Sequence, residues 1–273
     1  MPVISTNNAS NVALNYLNNN STQESSKIAQ LASGSRIVQA SDDAAGLAIG
    51  TQLQAATAVY SQDMINVQQG TSILQTTDGA LAQISNILQR MMSLATQAAS
   101  GQVTNTQRTQ DIGTEYNQLS QQIDTIVGST RYGGQSLLSG SFLSSIRFLV
   151  GTTSSDSIGV TLSTINASIL GVTGSINTAT EAMSAITQIN SAINIVTQQR
   201  AQVGAYESRF NFSLQDIQTN VQNTQAATSV IMDADVASVK SALSANDVRT
   251  QASVAALTQA AQLPQELLKL LQS

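Results

Sequence analysis

A repeating pattern between residues 177 and 231 restricts this chain more than any other feature. Ile186, Ile189, Ile193, Val196, Val203, Phe210, Leu214, Ile217, Val221 and Ile231 fall on one heptad seam, and Arg200, Glu207, Thr224 and Thr228 take the remaining seam positions. Apolar residues spaced three and four apart line one face of a helix. About 55 residues at 1.5 Å each predict a helix on the order of 80 Å long. Such a helix is too long for a globule of 273 residues and suits a rod, where polar seam residues fix register at some cost in stability. A helix of an intracellular bundle is the plainer alternative.

Two further stretches share the period. Starting at Leu74, the residues Leu81, Ile84, Leu88, Met91, Ala95 and Ala98 make a stripe along one helix. After the polar break from Ser100 to Gln107, which contains Gly101, a shorter helix reads Ile112, Tyr116, Leu119, Ile123 and Ile126. The period then changes to two. Ile146, Phe148 and Val150 alternate with Arg147 and Leu149, and Ile158, Val160 and Leu162 follow a turn from Gly151 to Asp156. This is a β-hairpin, preceded by the glycine-rich turn Arg131, Tyr132, Gly133, Gly134. The predicted fold class is therefore mainly α: a long antiparallel helical bundle or coiled-coil rod with a small β-hairpin region near residues 131–172.

The two ends are built alike. Val12, Leu14, Leu17, Ile28 and Leu31 at one end, and Val236, Val239, Leu243, Val248, Val254 and Leu257 at the other, are diluted by Ser, Ala, Asn and Gln. Each end alone is too weakly apolar to offset roughly 1 to 2 kcal/mol of ordering cost per residue. The expectation is a pair of helices, mobile in the free subunit and ordered when neighbours cover them. An ordinary frayed terminus is the alternative.

Composition narrows the function. Only 10% of residues are charged and the net charge is -5, with basic residues scattered singly, so no patch exists to neutralise a row of phosphates. Nucleic acid is a poor partner. Neutral Ser, Thr, Asn and Gln can line interfaces between identical subunits without burying unpaired charge. Aromatics are 3% and Cys is absent, so small aliphatic packing holds the chain without disulfides. No run of about 18 apolar residues is present, which excludes membrane insertion. Residues 1–20 lack the basic start and apolar run of a cleaved secretion signal.

Catalysis finds no support. The chain has no His, which removes Ser-His and Cys-His systems and the zinc-protease motif. No carboxylate pair is framed as a sugar-cleaving site requires. Ser41, Asp42 and Asp43 before Ala44, and Asp233 and Asp235 before Val236, are read as helix caps, since such oxygens accept the unpaired amides of a starting helix. Without His or Cys nearby they make no metal site, and no catalytic, metal or cofactor site is assigned.

Longer motifs carry a family resemblance. LASGSRIVQASDDAAGLAI at Leu31–Ile49 closely resembles the amino-terminal signature of bacterial flagellins, supported by QTTDGAL at Gln75–Leu81, LQRMMSLATQA at Leu88–Ala98 and RYGGQSLLSG at Arg131–Gly140. QRAQVGAYESRF at Gln199–Phe210, MDADVAS at Met232–Ser238 and LTQAAQLPQELLKLLQS at Leu257–Ser273 resemble the carboxy-terminal half in the same order. Virtually the whole chain is covered. Ile169–Ile186 passes almost directly from the hairpin region to the long helix, so the chain looks like a minimal flagellin without the variable outer domain.

The resemblance implies a secreted structural subunit that forms a helical homopolymer, the extracellular flagellar filament, for motility. It implies residues 1–42 with 236–273 as a discontinuous inner filament domain of paired helices and residues 43–235 as the rod domain. It also implies type III export without a cleaved signal, and as partners a flagellar export chaperone, a cap protein and hook-associated proteins. Gln89, Arg90, Leu94 and Glu115 match the family motif recognised by Toll-like receptor 5, which overlaps the interface between rods; Met92 and Ser93 depart from the charged pair common there. Leu263, Pro264, Leu267, Leu268, Leu270 and Leu271 form an apolar end that is read as packing on other subunits rather than on a membrane. The rivals are a hook-filament junction protein, which usually has Pro where this chain has Ala44, and a secreted surface adhesin.

Overall fold

The structure, a computed structural model, describes residues 7–139 and 146–272, with side chains through residue 262. The leucine-rich end from Leu263 to Leu271 therefore lies outside the described side chains. In chain order the elements are α1 (Asn8–Ser33), α2 (Ala44–Ala99), α3 (Asn105–Gln107), a π-helical turn (Arg108–Ile112), α4 (Gly113–Ser129), β1 (Arg131–Tyr132), β2 (Gln135–Ser136), β3 (Ile146–Leu149), β4 (Ser157–Val160), α5 (Ala179–Met232) and α6 (Val236–Gln272). They are divided between a terminal unit, residues 1–55 with 223–273, and a central unit, residues 56–222.

The core of the central unit follows the seven-residue arithmetic of its two long helices. On α5, Ala182, Ile189, Val196, Val203, Phe210 and Ile217 are buried at strict sevenfold spacing. The other half of the seam, Ile186, Ile193, Leu214 and Val221, packs against them half-buried. On α2 the buried lines are Val67, Leu74, Leu81, Leu88 and Ala95, and Ile84, Met91 and Ala98. The polar seam residue Arg200 crosses to α2, its Nε and Nη2 donating to Asp78 at 2.8 and 3.1 Å. Burial, with the nearby Asp78 charge, pushes the Glu207 carboxyl up from its ordinary range. The aliphatic stripe is legible from Leu74, yet α2 already begins at Ala44, because small and polar residues dominate its first thirty positions.

At Gly70 a side chain would lie 3.0 Å from the Phe210 ring and 3.3 Å from Phe148. The glycine lets the two rings meet edge to face, 5.2 Å between centroids at 85°. Fully burying a side chain of this size stabilises by roughly 1.5–3 kcal/mol, with about 0.5–1.5 more from the aromatic pair.

Helix α2 stops where Arg108 turns inward. This arginine is 6% exposed and donates to the carbonyls of Ala98 at 2.5 Å and Ser100 at 2.8 Å, and to Asn105 Oδ1 at 2.8 Å. A cation at a helix C-terminus satisfies orphan carbonyls and opposes the negative end of the dipole. Ile112 of the π-helical turn is buried, and helix α4 then returns with Tyr116, Ile123 and Val127 buried. The Tyr116 hydroxyl finds no hydrogen-bond partner among the described residues, and burial pushes its pKa up to about 12.

The hairpin pairs β3 and β4 antiparallel, Ile146 opposite Val160 and Phe148 opposite Ile158, with Ile158 and Val160 turned into the core. Residues 131–134, expected as a simple turn, belong with 135–136 to a second antiparallel pair, β1 with β2. Gly133 and Gly134 close it at φ 56° and 83°, a tight turn that requires positive φ at both central residues.

In the terminal unit α1 and α6 run antiparallel. Asn7 Nδ2 donates to Ala260 O at 2.6 Å, Asn20 Nδ2 to Ser253 Oγ at 3.0 Å, and Thr250 Oγ1 to Glu24 Oε2 at 3.2 Å. Helix α1 buries no residue. On the described part of α6 only Asn246 and Ala260 are buried.

Candidate functional site

Two places carry the motifs: the connectors of the terminal unit, and a surface pair on the central unit. The connector from α1 to α2 starts at Gly34, which ends α1 at φ 68° and accepts a hydrogen bond from Ala234 N at 3.0 Å. Ser35 and Asp233 then pair as an isolated β-bridge. Arg36 N donates to Met232 O at 2.6 Å. Its side chain donates from Nε to Ile231 O at 3.0 Å and from Nη2 to Asp43 Oδ2 at 3.2 Å. One arginine thus ties the end of α5 to the start of α2.

Tight glycines complete this clamp. A side chain at Gly46 would meet Asp43 Cγ at 2.8 Å and Ile37 Cδ1 at 2.9 Å, and one at Gly50 would overlap the Met232 side chain. Asp43 Oδ1 accepts from Gly46 N at 2.8 Å. That backbone bond, with the Arg36 guanidinium, holds the Asp43 carboxyl below its ordinary range.

The five residues read as helix caps separate into different roles. Asp43 accepts at the start of α2, and Asp235 Oδ1 accepts from Ala237 N at 3.0 Å and Ser238 N at 3.2 Å at the start of α6. Asp42 instead closes the preceding turn, its Oδ2 accepting from Val38 N at 3.1 Å and Gln39 N at 2.9 Å. Asp233 accepts from Ser229 Oγ at 2.5 Å at the end of α5. Ser41 Oγ reaches only Gln39 Oε1, at 3.5 Å. Only the residue whose oxygen faces the first free amides can cap, and in each connector one carboxylate occupies that position.

On the central unit Arg90 of α2 and Glu115 of α4 form an ion pair, Nη2 to Oε1 at 2.7 Å and Nε to Oε1 at 2.8 Å, with both side chains about half exposed. Gln89 is exposed beside Arg90. Leu94 is 2% exposed and belongs to the core. Of the four residues, Gln89, Arg90 and Glu115 are at the surface and Leu94 is buried. Helical periodicity explains this: Leu94 falls in the buried group Met91, Leu94, Ala95 and Ala98.

Sequence reasoning did not find the clamp residues Ser35, Arg36, Gly50 and Met232. Their signal was the presence of dense motifs just before α2 and just after α5. No group of three potential metal ligands exists among the described residues, and no described helix is long and apolar enough to cross a membrane.

Seamed long helices and a clamp between connectors define a helix-built structural subunit. Residues 4–142 match the bacterial flagellin N-terminal helical region, and residues 186–271 match the bacterial flagellin C-terminal helical region. The chain is 34% identical to the flagellar filament 30.7 kDa core protein of Treponema maltophilum, over 98% of this chain and 99% of that protein. It is also 34% identical to the flagellin of Halalkalibacterium halodurans, over 92% and 93%. The crystal structure of Bacillus cereus flagellin superimposes with a TM-score of 0.51 at 32% identity, covering 60% of this chain and 94% of that one. The chain belongs to the bacterial flagellin family. It is a non-enzymatic, extracellular subunit that polymerises into the flagellar filament.

The burial difference at the motif has a measurable consequence. Leu94→Ala is expected to lower unfolding stability by about 2–5 kcal/mol, as for other buried leucines. Arg90→Ala and Glu115→Ala are expected to cost under about 1 kcal/mol, as for exposed ion pairs. Urea midpoints of the three monomeric variants check this, and an equal loss for Arg90→Ala and Leu94→Ala contradicts the assignment.

Proposed function

We propose that the discontinuous terminal unit is the inner filament domain, lining the channel, and that the central unit is the rod domain of a flagellin without a variable outer domain. One observation carries the reading: the paired terminal helices leave their apolar side chains uncovered. Val12, Leu14, Tyr16 and Ile28 on α1, and Val236, Val248 and Val254 on α6, are all exposed, Tyr16 at 63% and Val248 at 64%. Copies of the chain stacked side by side cover these residues and supply the burial that each pair lacks alone. One surface meets a different surface of the next copy, and a rotation that does not close yields a helical fibre. The terminal unit also takes in the first turns of α2 and the last turns of α5, which Gly50 and Met232 hold together.

The export chaperone binds the carboxy-terminal helix before assembly, and the cap and hook-associated proteins meet the ends of the growing polymer. Toll-like receptor 5 recognises Gln89, Arg90 and Glu115, with Leu94 setting the spacing of α2 and α4 from below. What supports the receptor reading is the exposed ion pair on two adjacent helices.

Electron microscopy of seeded protein tests the assembly reading. The full chain is expected to give helical filaments of uniform width, whereas deletion of residues 1–40 abolishes them and leaves helical circular dichroism; filaments from the truncated chain contradict it. For the receptor, Arg90→Ala is expected to weaken the response of receptor-reporter cells, and an unchanged response overturns that assignment.

A further inference from the structure

We infer that the outer face of α5 around Phe212 pairs with the same face of a second copy, antiparallel, each copy's Arg209 entering the acidic hollow beside the other's Asp216. Phe212 is 70% exposed, the most exposed aromatic side chain among the described residues. The core line of α5 passes through Val203, Phe210 and Ile217. Two residues beyond Phe210 is about 200° round the helix, so Phe212 points away from that core. Arg209 lies three residues before it and Asp216 four after, both exposed, which sets all three on one helix face.

The two charges are unsatisfied within one copy. Arg209 makes no hydrogen bond or ion pair among the described residues. Asp216 accepts only from Asn220 Nδ2, at 3.4 Å. Seven residues separate them by about 10 Å along the axis, too far to meet. Asp216 also lines, with Asp156, Tyr60 and Ser213, a polar hollow of about 400 Å³ between α5 and the turn from β3 to β4. No basic residue lines that hollow; Arg147, the cation of β3, donates to Ser157 Oγ at 3.0 Å. One half of the face thus presents a cation without an anion, and the other half two carboxylates without a cation.

The order of these residues selects the second copy as the occupant. The midpoint of 209 and 216 falls between Phe212 and Ser213. A copy turned end for end about that point brings Arg209 of each level with Asp216 of the other, twice, and sets the two Phe212 rings beside the axis. Ala205 then lies level with Asn220. A two-fold contact repeats one self-complementary patch in this way, and aromatic rings and arginines are the usual anchors of such patches. Parallel copies offset by seven residues would match a single charge pair and hold the rings about 10 Å apart. One helix face is small beside the roughly 1,200 Å² of a standard interface, so the pairing is transient. Because a two-fold contact closes on itself, it belongs to the free subunit and adds nothing to a helical fibre; it is independent of the role of the terminal unit.

Disulfide trapping and sedimentation of the unseeded full chain test the pairing. The chain has no Cys, so Phe212→Cys is expected to give a 212–212 disulfide dimer on mild oxidation, well ahead of Gln121→Cys at an exposed site on α4. Sedimentation up to concentrations on the order of 1 mM is expected to show a monomer–dimer equilibrium that stops at the dimer. Arg209→Asp sets carboxylate against carboxylate and is expected to weaken the dimer about tenfold or more. The double variant Arg209→Asp with Asp216→Arg restores both pairs and is expected to recover the wild-type constant. All these positions are exposed, so the variants keep the fold. Equal trapping at 212 and 121, oligomers that grow beyond the dimer, a strictly monomeric wild type, or no recovery in the double variant overturns the pairing.

Discussion

The central unit exists because two sevenfold patterns, one on each long helix, face one another. Ala182, Ile189, Val196, Val203, Phe210 and Ile217 meet Val67, Leu74, Leu81, Leu88 and Ala95 along lengths that no compact globule could hold. With so few aromatic rings in the chain, the packing depends on small aliphatic groups and on the places where a missing side chain makes room. Gly70 beneath Phe210 and Phe148 is one. The ion pair from Arg200 to Asp78 fixes which turn of α5 lies beside which turn of α2, a register device of the kind that polar seam residues supply.

Much of this was legible in the sequence. The seam of α5, the stripe of α2 beyond Leu74, the buried positions of α4 and the alternation of the hairpin all appear as periodicities, because each element buries one face and shows another. The beginning of α2 was faint, since alanine, threonine and glutamine support a helix without marking a face. The pairing of β1 with β2 was hidden because two-residue strands are too short to alternate.

The sites were legible in a different sense. Family motifs located the signature residues, but periodicity could not say what they touch. Arg36 reaches across to Ile231 from almost two hundred residues away, and no local pattern encodes that contact. Asp42 and Asp43 are adjacent and chemically identical, yet only one faces the free amides of α2. Leu94 lies in a stretch that resembles a family motif, yet it is buried in the core. Motif membership and exposure are separate properties, and helical phase decides the second.

The two units differ in how they bury apolar surface, and the proposed assembly rests on that contrast. The central unit buries a continuous apolar core, although Phe212, Met183 and Ile169 stay exposed on it. The terminal pair has antiparallel hydrogen bonds and a clamp at its base, but little burial along its length. Hydrogen exchange compared between monomer and filament tests this division most directly. Amides of residues 8–33 and 236–262 are predicted to exchange quickly in the monomer and to become strongly protected in the filament, while those of 84–98 and 189–217 are protected in both. Terminal helices already as protected in the monomer as the central seam would contradict the account.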